Sequence, residues 1–459
     1  MNIELLYLIA AVFFIIGIKQ LTKPKTASRG NAIAALGMLV AVIAALLRMQ
    51  SGDPSTGVPA GIGIQFIIAG ILVGAGIGSV MAWAVAMTAM PQLVAIFNGF
   101  GGAASSLVAL SYSMTHTVEG FELFTLLLSI IIGTVTFTGS IVAFLKLQDI
   151  ASKPLVFRGA KAVNTLLAAL LVITAGKMML TAARIDLILI LLATAFFLGI
   201  LLTTPIGGAD MPVVISLLNS YSGLAAAATG FAIGNTVLIV GGALVGASGL
   251  ILTKIMCKAM NRSLANVMFG SGKQVEKEQG EYTNVKEASP EEASLLLDNA
   301  KSVIIIPGYG MAVSQAQFAV HELASLLEKK GAKVRYAIHP VAGRMPGHMN
   351  VVLAEANVPY DKLYDLDSIN SEFRHTDMAI VIGANDVTNP AATQEKSSPI
   401  YGMPILNAHE AKSILIIKRS LSPGFAGIKN SLFEYPNAQM VFGDAKKVMH
   451  SIIQELKEI

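Results

Sequence analysis

The chain contains 459 residues, of which 54% are hydrophobic and only 14% are charged. Because a soluble protein carries about 25% charged residues, this composition excludes a wholly soluble protein and predicts a membrane protein. The formal net charge of +4 gives no sign of a nucleic-acid partner, and the single cysteine, Cys257, excludes an intrachain disulfide. No metal site is predicted.

The sequence divides by composition into two unlike halves. Up to about residue 255 it is apolar with charges confined to the connections, whereas the part after residue 270 is typical of a soluble α/β domain. Residues 270–290 are rich in Lys, Glu, Gln, Ser and Gly, which predicts a solvated tether. We therefore predict a transmembrane domain over 1–262, a linker over 263–290 and a soluble α/β domain over 291–459, for which a ligand is considered below.

Nine apolar segments are long enough to cross a bilayer. They are centred on residues 3–18, 31–47, 62–84, 93–110, 121–145, 162–180, 187–202, 213–231 and 236–255. An odd number of spans places the two ends of the chain on opposite sides of the membrane.

The distribution of basic residues predicts the orientation of these spans. With the N-terminus outside, the external ends hold only Arg48, Lys177 and Arg184, whereas the cytoplasmic connections hold eleven basic residues. By the positive-inside rule, the C-terminal domain then lies in the cytoplasm. The eleven residues are Lys19, Lys23, Lys25, Arg29, Lys146, Lys153, Arg158, Lys161, Lys254, Lys258 and Arg262.

Small residues recur four positions apart in two of the predicted spans. Gly70, Gly74 and Gly78 lie in one span, and Gly242 and Gly246 lie in another. Such stripes let helices approach closely in lipid, where no hydrophobic force draws them together. The pattern fits packing within one bundle or a dimer face, and packing within the bundle is favoured.

Polar residues at membrane depth are candidate functional residues. Ser216, Asn219 and Ser220 have the i, i+3, i+4 spacing that places them on one helix face. Such a face could line a hydrated path or could form hydrogen bonds with neighbouring helices. Asp210, just before this span, could be a helix N-cap or a titrating group. Two further polar residues in the spans are Asn98 and Ser140.

The soluble half alternates predicted strands and helices, which is typical of a doubly wound parallel sheet of the Rossmann type. The predicted strands cover residues 303–306, 333–338, 362–364, 378–382, 414–418 and 439–442. The predicted helices cover residues 311–329, 347–356 and 445–456.

The segment 301–317, KSVIIIPGYGMAVSQAQ, has the strand–turn–helix order that a dinucleotide fingerprint requires. Gly308 permits a tight turn, and Gly310 would let the backbone approach a pyrophosphate at the helix N-terminus. Val313 occupies the third small position of the motif, so the match is imperfect. A plain strand-to-helix turn is the alternative interpretation.

The charges near the strand ends indicate which dinucleotide would bind. A site for NAD usually has an acidic residue after the second strand, but here His339 follows that strand and Arg344 comes soon after. Lys418, Arg419 and Ser420 follow the fifth strand and supply the two cations and the hydroxyl that suit a 2′-phosphate. A solvated strand end is the alternative. Asp386, in GANDVTNP after the fourth strand, could contact the nicotinamide end or cap a turn.

Six segments together resemble one family, the proton-translocating NAD(P) transhydrogenases, and specifically their β subunit. The segments are GGADMPVVISLLNSYSG, MCKAMNRS, PGYGMAVSQAQ, HPVAGRMPGHMNVVLAEA, GANDVTNPAA and KRSLSPGFAGIKN. They occur in order across both halves, so the resemblance covers nearly the whole chain.

The resemblance implies that the soluble domain binds NADP(H), with Lys418, Arg419 and Ser420 holding the 2′-phosphate. It implies a lid, residues 421–430, that covers the nucleotide. Arg344 and Asp386 are the candidate catalytic residues, with Asp386 in a coupling loop. The candidate cofactor-binding residues are Gly308, Tyr309, Gly310, Met311, Ala312, Val313, Arg344, Gly383, Asn385, Asp386, Lys418, Arg419, Ser420, Gly424, Phe425 and Ala426.

The resemblance also implies a proton path and its coupling. The residues that match positions on this path or at the hinge that follows it are Asn98, Ser140, Asp210, Asn219 and Arg262. Two positions depart from the family pattern. Asn98 stands where many relatives have an intramembrane histidine, and asparagine cannot titrate near neutral pH. Phe425 stands in the lid where some relatives have tyrosine, so a hydroxyl is absent.

The expected function is hydride transfer between NADP(H) on this chain and NAD(H) on a partner α subunit, coupled to proton translocation. A dimer of α–β units in a bacterial cytoplasmic membrane is implied, with the nucleotide domain in the cytoplasm. The alternative is a transporter or channel gated by a cytoplasmic NADP(H)-sensing domain. The membrane half has no obvious selectivity filter, which disfavours a channel.

Overall fold

The computed structural model describes residues 3–50, 63–148, 150–151, 157–181, 184–269 and 282–459. Within these ranges nine helices are long and apolar enough to cross a membrane, which confirms the predicted multi-pass architecture. They are α1 Ile3–Leu21, α2 Pro24–Gln50, α3 Ile64–Ala84, α4 Met90–Thr115, α5 Gly120–Leu147, α6 Ala160–Thr181, α7 Ile185–Thr203, α8 Met211–Ala232 and α9 Thr236–Ala259. Lys153 and residues 270–281 of the predicted linker lie outside the described residues.

The chain forms two compact units, Met1–Thr253 and Lys254–Ile459. In the first unit, α5 and α8 form the centre. Of the most apolar stretch of each helix, 67% is buried in α5 and 72% in α8, against 39% or less in the other candidate spans. The centre of the bundle is held together by glycine contacts and side-chain hydroxyls. A Cβ at Gly102 of α4 would lie 2.8 Å from the carbonyl oxygen of Gly133 in α5, so only glycine fits at this crossing.

The two predicted glycine stripes differ in their surroundings. A Cβ at Gly242 of α9 would lie 2.5 Å from the Ala227 nitrogen of α8, so this stripe packs within the bundle. By contrast, a Cβ at Gly70, Gly74 or Gly78 would meet no described atom within 4 Å. None of the described residues buries the face of α3 that carries these three glycines.

The second unit contains a six-stranded, wholly parallel sheet with the order β3-β2-β1-β4-β5-β6, which confirms the predicted doubly wound fold. Its strands are β1 Ser302–Pro307, β2 Lys333–Ile338, β3 Leu363–Asp365, β4 Met378–Ile382, β5 Ser413–Lys418 and β6 Ala438–Phe442. The central strands are buried on both faces, which explains their continuous runs of Ile and Val.

Several helices of this unit share a core with the sheet. After α9 they are α10 Leu264–Phe269, α11 Pro290–Asp298, α12 Tyr309–Val313, α13 Gln317–Lys329, α14 His348–Glu355, α15 Leu366–Ile369, α16 Ala391–Gln394 and α17 Ala445–Glu458. The apolar side of α13 carries Val320, Leu323 and Leu327, which pack into the main core with residues of β1 and α17.

The predicted single helix over 311–329 is wrong. The backbone of Gln315 adopts φ +52°, which ends α12 and separates it from α13. The Ser314 hydroxyl stabilises this end because it donates to the carbonyl oxygen of Gly310 at 2.9 Å. The dipole of the longer helix therefore begins at Gln317, one turn of chain away from the glycine motif.

The predicted solvated tether is also wrong for its last part. We call residues 282–289 the strap. The Ala288 N–H donates to the Met440 carbonyl oxygen at 2.9 Å, and the Met440 N–H donates to the Lys286 carbonyl oxygen at 2.8 Å. These bonds attach the strap to the outer edge of β6, so it belongs to the folded domain although its composition is polar.

We expect Gly102→Ala to destabilise the membrane bundle, because its Cβ would overlap the α5 backbone and overpacking costs about 1–3 kcal/mol. Gly101→Ala, one position along the same helix, is the matched control, since its Cβ would meet nothing within 4 Å. Thermal unfolding of the detergent-solubilised chain should show a lower midpoint for Gly102→Ala only. Equal midpoints for the two variants would contradict the close α4–α5 crossing.

Candidate functional site

The carboxyl edge of the sheet brings the turns after β1 and β4 together, at the point where the strand order reverses. The Gly308 N–H donates to the Ile382 carbonyl oxygen at 2.8 Å, and the Gly310 N–H donates to the Gly383 carbonyl oxygen at 2.9 Å. A Cβ at Gly308 would lie 2.4 Å from the Gly383 oxygen, and Gly383 itself adopts φ +63°. The packing of these two turns therefore requires glycine in the predicted fingerprint, even without a bound ligand.

The other residues of the motif divide into buried and accessible side chains. Met311 and Ala312 are 0% exposed and belong to the core, so only their backbone atoms remain for a ligand. Val313 is 43% exposed at the end of α12. Tyr309 is half-buried and faces the next group of residues.

Tyr309, Arg344 and His348 form one cluster at this edge. The Arg344 guanidinium lies 4.5 Å from the centre of the Tyr309 ring, and the Arg344 N–H donates to His348 Nδ1 at 3.0 Å. Burial, with a smaller effect of the Arg344 charge, lowers the pKa of His348 to about 4. The imidazole is therefore neutral at pH 7 with its proton on Nε2, which has no hydrogen-bond partner among the described residues.

Asp386 lies in a second cluster, under the lid. Its side chain is 1% exposed, and Oδ2 accepts a hydrogen bond from the Ala426 N–H at 2.9 Å. A Cβ at Gly424 would lie 2.4 Å from Oδ2, so the lid backbone touches this carboxylate. Burial raises the pKa of Asp386 to about 6, although the Ala426 hydrogen bond and the Lys418 charge oppose the rise. Oδ1 accepts no hydrogen bond from any described residue.

Lys418 is held at the end of β5 by three different groups. Its Nζ donates to the Ser422 carbonyl oxygen at 3.0 Å and lies 4.7 Å from the centre of the buried Phe433 ring. Burial lowers the pKa of Lys418 to about 8, against the attraction of Asp386. The neighbours Arg419 and Ser420 are exposed. The predicted phosphate clamp thus combines one constrained ammonium group with an exposed guanidinium and hydroxyl.

The lid is fastened at both ends by asparagine side chains. Asn385 Nδ2 donates to the Ser422 carbonyl oxygen at 3.2 Å, near the start of the lid. At its end, Asn430 Nδ2 donates to the Asn385 carbonyl oxygen at 3.1 Å, and Asn389 Nδ2 donates to the Lys429 carbonyl oxygen at 3.0 Å. Phe425, near the middle of the lid, is half-buried. The loop after β4 therefore positions the whole lid.

His339, which follows β2, is a buried residue with both ring nitrogens bonded. Nε2 lies 2.8 Å from the Pro404 carbonyl oxygen, and Nδ1 accepts the Val341 N–H at 3.2 Å. Burial lowers its pKa to about 4. This histidine is neutral at pH 7 and ties the end of β2 to the segment before β5.

The sequence did not identify His348, Phe433 or Tyr282 as site residues. His348 lies within the segment HPVAGRMPGHMN, four positions after Arg344, but only the turn at Gly343 brings the two together. Gly343 adopts φ +128°, and a Cβ there would lie 2.6 Å from His348 Nδ1. Tyr282 has no local signal, because the Phe433 ring that it stacks on belongs to a distant segment of the chain.

In the membrane unit, two predicted site residues, Asn98 and Ser140, meet Ser222 between α4, α5 and α8. Asn98 Nδ2 donates to Ser140 Oγ at 3.0 Å, and Ser222 Oγ donates to Asn98 Oδ1 at 2.6 Å. Ser222 also hydrogen-bonds to the Asn219 carbonyl oxygen at 3.0 Å. The Asn219 side chain is half-buried beside this cluster on α8. We call Asn98, Ser140 and Ser222 the inner polar cluster.

Two of the three residues on the predicted common face of α8, Ser216 and Ser220, bond to the neighbouring helix α9. The Ser216 and Ser220 hydroxyls donate to the α9 carbonyl oxygens of Gly249 at 3.2 Å and Gly246 at 2.6 Å. These two serines therefore join neighbouring helices. Asn219 lies to the side of them.

Asp210 and Arg262 stand at the ends of membrane helices. Asp210 is 8% exposed and occupies the N-cap position of α8, but its side chain forms no capping hydrogen bond there. The simple capping role considered for this residue is therefore wrong. Arg262 is exposed in the turn between α9 and α10, and its N–H donates to the Cys257 carbonyl oxygen at 2.9 Å.

Comparison with known proteins identifies the family. The family model described as NAD(P) transhydrogenase beta subunit matches residues 3–455. The chain belongs to this family. Two curated relatives, both NAD(P) transhydrogenase subunit beta from Rhodospirillum rubrum, are 48% identical to it over 465 aligned residues, covering 98% of each chain. Membership makes the chain a subunit of an enzyme with nicotinamide nucleotide substrates, and its family name implies an alpha subunit as partner.

We expect Asp386→Asn to change how stability depends on pH. The folded-state pKa of Asp386, about 6, lies above its ordinary value of 3.8. Protonation of Asp386 therefore stabilises the folded state fully below pH 3.8, and this stabilisation is lost as the pH rises through 6. The total loss of unfolding free energy is about 3 kcal/mol. The Asn variant should gain unfolding free energy relative to wild type between pH 4 and pH 7.

Thermal unfolding of both full-length proteins across this range measures that difference. His339 and His348, whose lowered pKa values act with the opposite sign in the same range, are common to both proteins and cancel. A variant-minus-wild-type difference that is the same at pH 4 and pH 7 would show that Asp386 titrates normally.

Proposed function

We propose that this chain binds NADP(H) at the carboxyl edge of its sheet and exchanges hydride with NAD(H) held by an alpha subunit, coupled to proton translocation. The single observation that carries this proposal is the buried Asp386 carboxylate under the lid, with Lys418 beside it. An acidic and a basic group that burial drives toward neutrality are typical of a functional site. Asp386 and Lys418 both bond to backbone groups of the lid, so a bound ligand and a proton can both act on the lid.

The residues present fit a phosphorylated dinucleotide. His348 Nε2 and Asp386 Oδ1 are buried polar atoms that lack partners among the described residues, and both lie at the edge where ligands bind in this fold. Lys418, Arg419 and Ser420 would hold the 2′-phosphate, and the turn 308–313 would lie along the pyrophosphate. Arg344, over the Tyr309 ring, adds a cation to the same edge.

The nicotinamide ring of a bound NADP(H) would supply the hydride chemistry. The protein needs no general acid or base for that step, because its role is to position the ring and to exclude water. The lid, Asn385 and Asn430 would exclude water from one side of the site. Arg344 and Asp386 are the residues that we assign to positioning and switching around the ring.

Proton movement must change nucleotide affinity for the two processes to be coupled. One proton crossing the membrane is worth about 2.3 kcal/mol per 100 mV, which would shift the hydride exchange about fiftyfold. In our proposal, Asp386 is the nucleotide-side group that responds, because its raised pKa lies near the physiological range. Asp210 and Arg262 would connect the membrane helices to this response.

The inner polar cluster would form part of the proton path. Asn98 cannot carry the proton itself, so it would orient water or a group from the alpha subunit. Its amide donates to Ser140 and accepts from Ser222, which fixes its orientation. Asn219 lies on the same helix as Ser222 and would extend the path.

We place the chain in a bacterial cytoplasmic membrane, with the nucleotide domain in the cytoplasm and the enzyme assembled as a dimer of alpha–beta units. The excess of basic residues in the predicted cytoplasmic connections supports the orientation. The domain boundary at 262 stays a prediction, and in our proposal the nucleotide domain includes the strap.

We expect Arg419→Gln to weaken NADP⁺ binding more than tenfold and to leave NAD⁺ binding nearly unchanged, because only NADP⁺ has a 2′-phosphate. Lys412→Gln is the matched control, since Lys412 lies at the opposite end of β5 and pairs with Asp377 at 2.8 Å. Isothermal calorimetry of the full chain measures both affinities. Equal binding of NADP⁺ and NAD⁺ by wild type would contradict the assignment of the site.

We expect Asn98→Ala and Asn219→Ala to reduce proton pumping strongly, because each removes an amide beside the proposed path. The chain and its alpha subunit are reconstituted in vesicles, where internal pH and hydride exchange between bound nucleotides are followed together. Ser248→Ala is the control, since Ser248 is exposed on α9 and donates to the Val245 carbonyl oxygen of its own helix. Full pumping by both asparagine variants would exclude this path.

A further inference from the structure

Tyr282 is the first residue of the strap, and its side chain contacts the end of the lid. The Tyr282 hydroxyl accepts a hydrogen bond from the Asn430 N–H at 3.0 Å. Its ring stacks on Phe433, with centroids 5.8 Å apart and an interplanar angle of 24°. The Lys429 ammonium lies 4.8 Å from the centre of the same ring. One side chain thus contacts three residues that end or follow the lid.

The residue after Tyr282 strengthens this attachment. The Thr283 N–H donates to Glu434 Oε1 at 2.7 Å. Glu434 Oε2 in turn pairs with Lys429 Nζ at 2.6 Å, and both side chains are largely buried. Together with the bonds between the strap and β6, these contacts hold the backbone that follows Tyr282. Tyr282 therefore has a defined position, although it lies in a polar segment.

The residues that Tyr282 contacts are those that position the candidate site. Asn430 donates to the Asn385 carbonyl oxygen and side-chain oxygen at 3.1 and 3.0 Å, beside Asp386. The same Phe433 ring lies below Lys418 Nζ, with 4.7 Å between the nitrogen and the ring centroid. A displacement of Tyr282 would release the end of the lid and remove the support below the Lys418 cation.

We propose that Tyr282 is a positioning residue of the nucleotide site, which keeps the lid closed through Asn430 and supports Lys418 through Phe433. The inference rests on the proposed NADP(H) site. Tyr282 acts through the lid and is not itself assigned a contact with the nucleotide. Its hydroxyl sets how long a bound nucleotide stays, whereas its ring contributes to the packing of the domain.

The test compares Tyr282→Phe with wild type in the full chain. Phenylalanine keeps the ring and its stacking but leaves the Asn430 N–H without its acceptor. A typical hydrogen bond is worth about 0.5–1.5 kcal/mol, so we expect NADPH to dissociate about two- to tenfold faster. The dissociation rate is read from the NADPH fluorescence after a chase with excess NADP⁺, and the thermal midpoint is measured beside it.

A matched control separates positioning from stability. Tyr360, which is 40% exposed and precedes β3, lies at the other edge of the sheet, so Tyr360→Phe should release NADPH at the wild-type rate. A purely structural role for Tyr282 would lower the thermal midpoint without changing the release rate. Amide exchange of the peptide that contains residues 426–435 gives a second measurement, and it should become faster in Tyr282→Phe even without nucleotide.

The outcomes distinguish this inference from the proposed function. If wild type binds NADPH and Tyr282→Phe releases it at the same rate with unchanged amide exchange, the role of Tyr282 is wrong and the site stands. If wild type binds no NADP(H), the proposed function fails, and the role of Tyr282 at that site fails with it.

Discussion

The contact between the Asp386 carboxylate and the backbone of the lid is the constraint on which the nucleotide domain depends. A buried carboxylate is costly unless hydrogen bonds compensate it, and here one oxygen accepts the Ala426 N–H while the other accepts none from the described residues. Burial therefore raises the pKa of the group to about 6, although the Ala426 hydrogen bond opposes the rise. A fold that only needed stability would place an apolar residue there, so the cost points to a function.

The two halves of the chain solve the problem of polar groups in different ways. In the membrane unit, hydroxyls such as Ser216 and Ser220 donate to carbonyl oxygens of a neighbouring helix. In the second unit, Asp386 and His348 each have one buried polar atom without a partner among the described residues. The inner polar cluster is intermediate, because the amide nitrogen and the amide oxygen of Asn98 each bond to a serine hydroxyl that can rotate.

Periodicity and turn residues were enough to predict much of this structure. The strands 333–338 and 378–382 were predicted with their observed bounds, because both are short runs with strand-forming residues in a part of the chain where strands and helices alternate. The break at Gln315 was missed, since a glutamine with positive φ leaves no local signal. The strap was missed because its polar composition suggests solvent, while its stability comes from backbone bonds to Met440.

The strap also has a consequence for how the sheet meets its surroundings. The outermost strand of an open sheet presents unpaired N–H and C=O groups, which invite another chain to add to it. Here residues 286–288 occupy that position on β6, and the opposite edge strand is only three residues long. A fragment that began at residue 291 would leave β6 uncovered, and such a fragment would tend to aggregate. The folded α/β part of this chain therefore includes the strap.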